Sequence, residues 1–179
     1  MKTDVYLPAS EKVWDLFVRC FHWTMVSCIL LDYFVISDGE LPHQILGYGA
    51  TALVLSRIVW GFIGSETARF SDFFPTPSKL LHHFKAIRNG EHLYYKGHNP
   101  LGALMILTLL SLIIGLGVTG WMQTLDAFWG EEWLMLAHEI LSHTLMVMVF
   151  IHVSAAIIMG KIERVKLIKA MVTGNKERY

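Results

Sequence analysis

Three histidines, His138, His143 and His152, sit inside AHEILSHTLMVMVFIH at 137–152, a run otherwise apolar enough to cross a membrane. Imidazole is costly to hold in hydrocarbon, and where it occurs it marks metal ligation or proton transfer. Helical spacing separates the three. His138 and His152 are 14 positions apart, within about 40° of four whole turns and about 21 Å along the axis. They share one face at two depths. His143, nine positions before His152, points about 180° away and stands outside any site the other two build.

Each aligned histidine needs a partner at its own depth. His22 lies about two turns into the first apolar segment, matching His152 about two turns from the end of the last one. His43 opens the second segment at the opposite membrane face, where His138 also lies. Two stacked pairs of histidines, without a cysteine cluster and with almost no carboxylate beside them, match bis-imidazole ligation of two b-type haems. His22 and His152 are then the ligands of an inner haem iron, and His43 and His138 those of an outer one. Zinc would draw its nitrogen and sulfur ligands together at one depth. The competing reading, four separately hydrogen-bonded core histidines, leaves the matched depths unexplained. Arg57 repeats the 14-residue spacing from His43 and so faces the same way at the inner depth. It is placed to meet a haem propionate, as is Arg19, three positions before His22. The alternative for both is a side chain reaching out to lipid headgroups.

The elements that must position these residues follow from composition. Of 179 residues 54% are hydrophobic and 17% charged, and the mean hydropathy is +0.45, which excludes an ordinary soluble domain. Four segments reach the length of about 20 residues that a spanning helix needs: roughly 14–36, 43–63, 101–122 and 134–160. The expectation is an all-α integral membrane four-helix bundle, with residues 1–179 forming a single membrane-embedded domain. The first segment is full length and lacks a small-residue cleavage site after it, so it reads as an uncleaved anchor. Cys20 and Cys28 fall within it and read as small packing residues, and no CxxCH is present to attach a haem covalently.

Charge sets the orientation. All fifteen Lys and Arg fall at one face: Lys2, Lys12 and Arg19 at the start, Arg57 to Lys96 around the middle loop, and Lys161 to Arg178 in the tail. The other connections, SDGELP and QTLDAFWGEE, carry acids and neither Lys nor Arg. Both termini and the middle loop are therefore cytoplasmic. Within that loop TPSKLLHHFKAIRNG places Leu80, Leu81, Phe84 and Ile87 on one face, with Thr76 as N-cap and Pro77 in the first turn. It predicts an amphipathic helix on the cytoplasmic surface, with His82 and His83 solvated at the interface. Gly115, Gly117 and Gly120 read as helix-packing positions in the third span. No nucleotide-binding glycine motif is present, and no nucleic-acid partner is expected.

With these residues in hand, the chain resembles the Ni/Fe-hydrogenase-type membrane cytochrome b family. The resemblance rests on VWDLFVRCFHW at 13–23, LGYGATALVLSRIVWGFIGSETARFSDF at 46–73, GHNPLGA at 97–103, and the HE of His138 followed by His152. It implies a four-helix core holding two haems b, with His22, His43, His138 and His152 at the ligand positions. It also implies a bacterial inner membrane and electron transfer there between a periplasmic redox partner and the quinone pool, menaquinone or ubiquinone.

A haem with two histidine ligands has no open coordination site, so it exchanges electrons and any catalysis must sit beside it. The quinone is expected at the inner haem near GHNPLGA, where His98 and Asn99 could bond a quinone carbonyl and Lys96 lies by the headgroups. The alternative is that Asn99 and Pro100 cap the third helix. Asp32 reads either as a proton relay or as an interfacial helix end. The leading function is an electron-transfer subunit serving a c-type cytochrome or a hydrogenase-like enzyme. The second is a self-contained superoxide:quinone oxidoreductase, which the outer acids Asp38, Glu40, Asp126, Glu131 and Glu132 disfavour because they repel an anion. Composition leaves monomer and homodimer equally open.

Overall fold

Asp15 begins the first long helix, its carboxylate accepting a hydrogen bond from the Val18 N–H at 2.8 Å. The computed structural model describes residues 10–91 and 93–178, so Lys2 lies outside the described residues. The elements in chain order are β1 (Ser10–Lys12), α1 (Leu16–Phe34), α2 (Leu41–Ile63), α3 (Phe70–Phe73), α4 (Pro77–Arg88), α5 (Pro100–Met122), α6 (Glu132–Ile162), α7 (Leu167–Thr173) and β2 (Asn175–Glu177). The helices α1, α2, α5 and α6 are the four long and apolar enough to span a membrane. Their bounds lie within about two residues of those expected from the sequence. Pro near the start of α2 and α5 occupies positions whose N–H has no helical partner in any case. At 31 residues, α6 is about 46 Å long and overreaches a hydrocarbon core of about 30 Å.

Close packing runs from α1 to α2, from α2 to α5 and from α5 to α6. Met25 of α1, Ala50 and Val54 of α2, Leu110 and Ile113 of α5 and Leu145 of α6 form the buried core at mid-height. The large apolar side chains left outside, such as Leu55, Phe62, Val147 and Phe150, face the bilayer, where burial against protein offers no hydrophobic gain. Gly115, Gly117 and Gly120 of α5 do act at helix contacts. A Cβ at Gly117 would overlap the Thr51 hydroxyl of α2, and one at Gly115 or Gly120 would come 3.3 Å from Leu141 or His138 of α6.

The cytoplasmic end is closed by a small cap that the hydropathy pattern does not reveal. β1 pairs antiparallel with β2, with Ser10 opposite Glu177 and Lys12 opposite Asn175, so the segment before α1 meets the segment after α7 at one face. The N–H groups of Val13 and Trp14 both donate to the Gly174 carbonyl, at 2.8 and 3.0 Å. Gly174 ends α7 at φ +86°, and a Cβ there would stand 2.7 Å from the Trp14 carbonyl. Only glycine combines that backbone with that approach. Val13, Trp14, Val18, Ala68 and Ala170 pack beneath the strands.

The loop helix α4 forms with the expected cap, Thr76 accepting from the Lys79 N–H at 3.3 Å. Two details differ from the expectation. Leu81, Phe84 and Ile87 are exposed as a membrane-facing row, while Leu80 turns partly inward. His83 is not solvated but 5% exposed, its Nδ1 3.3 Å from the Tyr95 hydroxyl. The reason is periodicity: His83 and Ala86 are three positions apart, one side of a helix docked on the start of α5. His82 is exposed as expected.

Candidate functional site

His22 sits in the second turn of α1, and its ring centre lies 6.4 Å from that of His152 on α6, with the planes at 51°. Near the other membrane face His43, in the first turn of α2, and His138 of α6 stand 6.1 Å apart at 76°. These separations test what can be held between the rings. A metal–nitrogen bond to imidazole is about 2 Å, and a ring nitrogen lies about 1.1 Å from the centre of a five-membered ring with bonds of about 1.35 Å. One metal ion bridged by two imidazoles thus needs ring centres about 6.2 Å apart, which both pairs meet. Van der Waals stacking of the rings would bring them closer. Among the described residues no group of three or more His, Cys, Asp or Glu is gathered for a metal ion, so the site offers two nitrogens per level.

Hydrogen bonds hold Nδ1 of both outer rings. His43 Nδ1 lies 3.0 Å from Asp32 Oδ1, and a carboxylate can only accept, so Nδ1 carries the hydrogen and Nε2 keeps a free lone pair, the form that binds a metal. The Thr119 hydroxyl lies 2.8 Å from both the Gly115 carbonyl and His138 Nδ1. With its hydrogen on the carbonyl it accepts from His138 Nδ1–H, and His138 then presents a free Nε2 as well. Asp32, which the sequence offers as a proton relay or an interfacial helix end 11 positions before His43, is instead the partner of that histidine, and Thr119 carries no signal until α5 and α6 are packed.

The inner pair is dressed differently. The His22 ring stands edge-on to Trp23 at 5.1 Å, and its Nδ1 is buried without a partner among the described residues. Arg57 is 4% exposed, donates from Nη2 to the Ala68 carbonyl at 3.0 Å and lies 5.5 Å from the Phe70 ring centre. Its Nη1 is buried with no partner among the described residues, and such a guanidinium donor fits an anionic group between the helices. Arg19 donates from Nη1 to the Val172 carbonyl at 2.8 Å. Its Nε, also without a partner among the described residues, lies beside the end of α7, 3.4 Å from a Cβ placed on Gly174.

His98 packs against the Trp14 ring at 4.5 Å and the Phe73 ring at 5.4 Å. Burial pushes its pKa down to about 3, and the nearby charges of Arg57, His152, Lys176 and His22 act in the same direction. A neutral imidazole beside the inner pair results. Asn99 uses its side-chain oxygen to cap α5, accepting from the Gly102 N–H at 2.8 Å. His143 joins neither pair. It bonds Tyr33 at 2.9 Å across the seam between α1 and α6, with its side chain 61% exposed.

Comparison with known proteins gives the same direction. A hydrogenase-associated relative from Bradyrhizobium diazoefficiens, the "Probable Ni/Fe-hydrogenase B-type cytochrome subunit", is 25% identical over 171 residues, covering 82% of this chain and 69% of that protein. The family model described as prokaryotic cytochrome b561 matches residues 13–174. The chain thus belongs to the prokaryotic cytochrome b561 family, as a multi-pass haem b protein of the bacterial inner membrane with a role in electron transfer.

Proposed function

We propose that the chain, as one membrane-embedded unit, holds two haems b and carries electrons between the quinone pool and a redox partner on the periplasmic side. What carries this reading is the pair of ring separations, 6.4 and 6.1 Å, repeated 14 positions apart on α6. His22 and His152 would hold the inner haem iron, and His43 and His138 the outer one. Bound there by two histidines each, the haems would supply single-electron transfer. Arg57 Nη1 and Arg19 Nε, both buried and unbonded, are the donors for inner propionates. His98, neutral and held between Trp14 and Phe73, offers a ring nitrogen to a quinone carbonyl beside the inner pair. The amide group of Asn99 is the second donor there, since its oxygen is engaged in the cap. The hydrogenase in the name of the Bradyrhizobium relative supports a hydrogenase-like partner enzyme, and the acidic outer connections support a basic c-type cytochrome as the other partner.

A pyridine haemochrome assay on detergent-purified protein tests the ligand set. Two haems b per chain are expected. Replacement of His22, His43, His138 or His152 by Ala should each lose about one haem, and His143→Ala should keep both. If His143 proved essential and His138 dispensable, the assignment would be wrong.

A further inference from the structure

Asp32 lies two residues before the end of α1 (Leu16–Phe34), where the helix dipole disfavours negative charge. A carboxylate near the hydrocarbon boundary adds a desolvation cost. Asp32 caps no helix, since Glu40 stands at the N-cap of α2. Its bond is to His43 Nδ1 at 3.0 Å, with the two side chains 25% and 23% exposed. The other histidines are held differently: His138 by the neutral hydroxyl of Thr119, while His22 Nδ1 is buried without a partner among the described residues.

We infer that Asp32 is a positioning residue that fixes His43 through its Nδ1–H and makes the outer haem the more reducing of the two. This rests on the ligand assignment proposed above. A carboxylate accepting the Nδ1–H of a ligating imidazole orients the ring and raises the basicity of Nε2. A more basic ligand and a nearby negative charge both favour the higher charge on the metal, which lowers the reduction potential. At the inner level the neighbouring fixed charges are the guanidinium groups of Arg57 and Arg19, which act in the opposite sense. The two levels thus differ in sign of local charge, and electrons fall from the outer pair to the inner one.

The test is redox potentiometry of both haems, with haem content measured alongside, on wild type, Asp32→Asn, Asp32→Glu and Thr119→Val. The outer transition is identified as the one lost in His138→Ala. Asp32→Asn keeps the shape and a hydrogen-bond acceptor but removes the charge. It is expected to raise the outer midpoint by at least about tenfold in the reduction equilibrium, about 59 mV for one electron, and to leave the inner midpoint in place. Asp32→Glu should stay near wild type, and Thr119→Val should shift the outer midpoint less than Asp32→Asn. Loss of one haem in Asp32→Asn with both retained in Asp32→Glu also supports the role, since a space-filling residue would tolerate the amide. Two haems with unmoved midpoints in Asp32→Asn would overturn it, as would an equal shift in Thr119→Val. Retention of both haems in His43→Ala and His138→Ala would instead remove the ligand assignment itself, whatever Asp32 does.

Discussion

Arg57 is the residue whose charge and burial are most at odds with an apolar bundle. It satisfies the Ala68 carbonyl with one nitrogen and leaves Nη1 buried and unbonded. If that nitrogen meets an inner propionate, Arg57→Leu removes a cation that favours the electron-rich reduced state. The inner midpoint should fall by about tenfold in equilibrium, about 59 mV for one electron. Arg57→Lys should recover part of this shift, and an unchanged titration in Arg57→Leu would count against the propionate role. The orphaned Ala68 carbonyl adds a stability loss of about 1–3 kcal/mol, so thermal denaturation is followed alongside. Asn99 permits a cleaner separation. Asn99→Asp keeps the capping oxygen for the Gly102 N–H and drops the amide donors. Stability should hold while quinol-dependent haem reduction slows about tenfold, and an unchanged rate would exclude the amide from quinone binding. At this scale the two aligned pairs were legible because periodicity alone fixes which positions of one helix share a face. Asp32 and Thr119 were not, because a hydrogen bond between helices depends on the rotation of both, which hydropathy does not encode.

The spanning helices were readable almost to the residue, since length and apolarity are set by the bilayer and not by the rest of the fold. The β1–β2 cap was not. Three-residue strands hold no periodic signal, and their pairing joins residues more than 160 positions apart. The burial of His83 was missed for a related reason: the sequence gives the two faces of α4 but not which one docks on α5. Glycine spacing in α5, by contrast, announced close approach, and Gly117 against Thr51 shows where it acts. Gly117→Ala should push α5 from α2 and destabilise the bundle by about 1–3 kcal/mol. Adding Thr51→Ala removes the two nearest atoms and should restore most of the loss, although Thr51 Cβ itself would remain 3.1 Å away. Haem-release temperature in detergent reads both variants. Equal loss in single and double variants would show that this contact does not set the helix spacing.

For the whole molecule the two faces differ in chemistry as well as in charge. The cytoplasmic end is tied by the two strands and carries the basic residues, whereas the outer connections expose Asp38, Glu40, Asp126, Glu131 and Glu132. Trp129 and Trp133, 77% and 54% exposed, stand among these acids. An acidic surface above the outer histidine pair favours a basic redox protein, because complementary potentials speed encounter more than they strengthen the final complex. Screening over about 10 Å at 0.1 M salt should then slow the reaction. Stopped-flow electron transfer with a basic c-type cytochrome is expected to fall about tenfold between low and physiological salt. Paired reversal of Glu131 and Glu132 to Lys should lower the low-salt rate and flatten the salt dependence. For an anionic small substrate such as superoxide the signs invert: added salt and the same charge reversal would both raise the rate. A salt-independent rate with the cytochrome, together with partner-free oxidation of superoxide near the diffusional ceiling of about 10⁸–10⁹ M⁻¹s⁻¹, would replace the docking reading with a self-contained oxidoreductase.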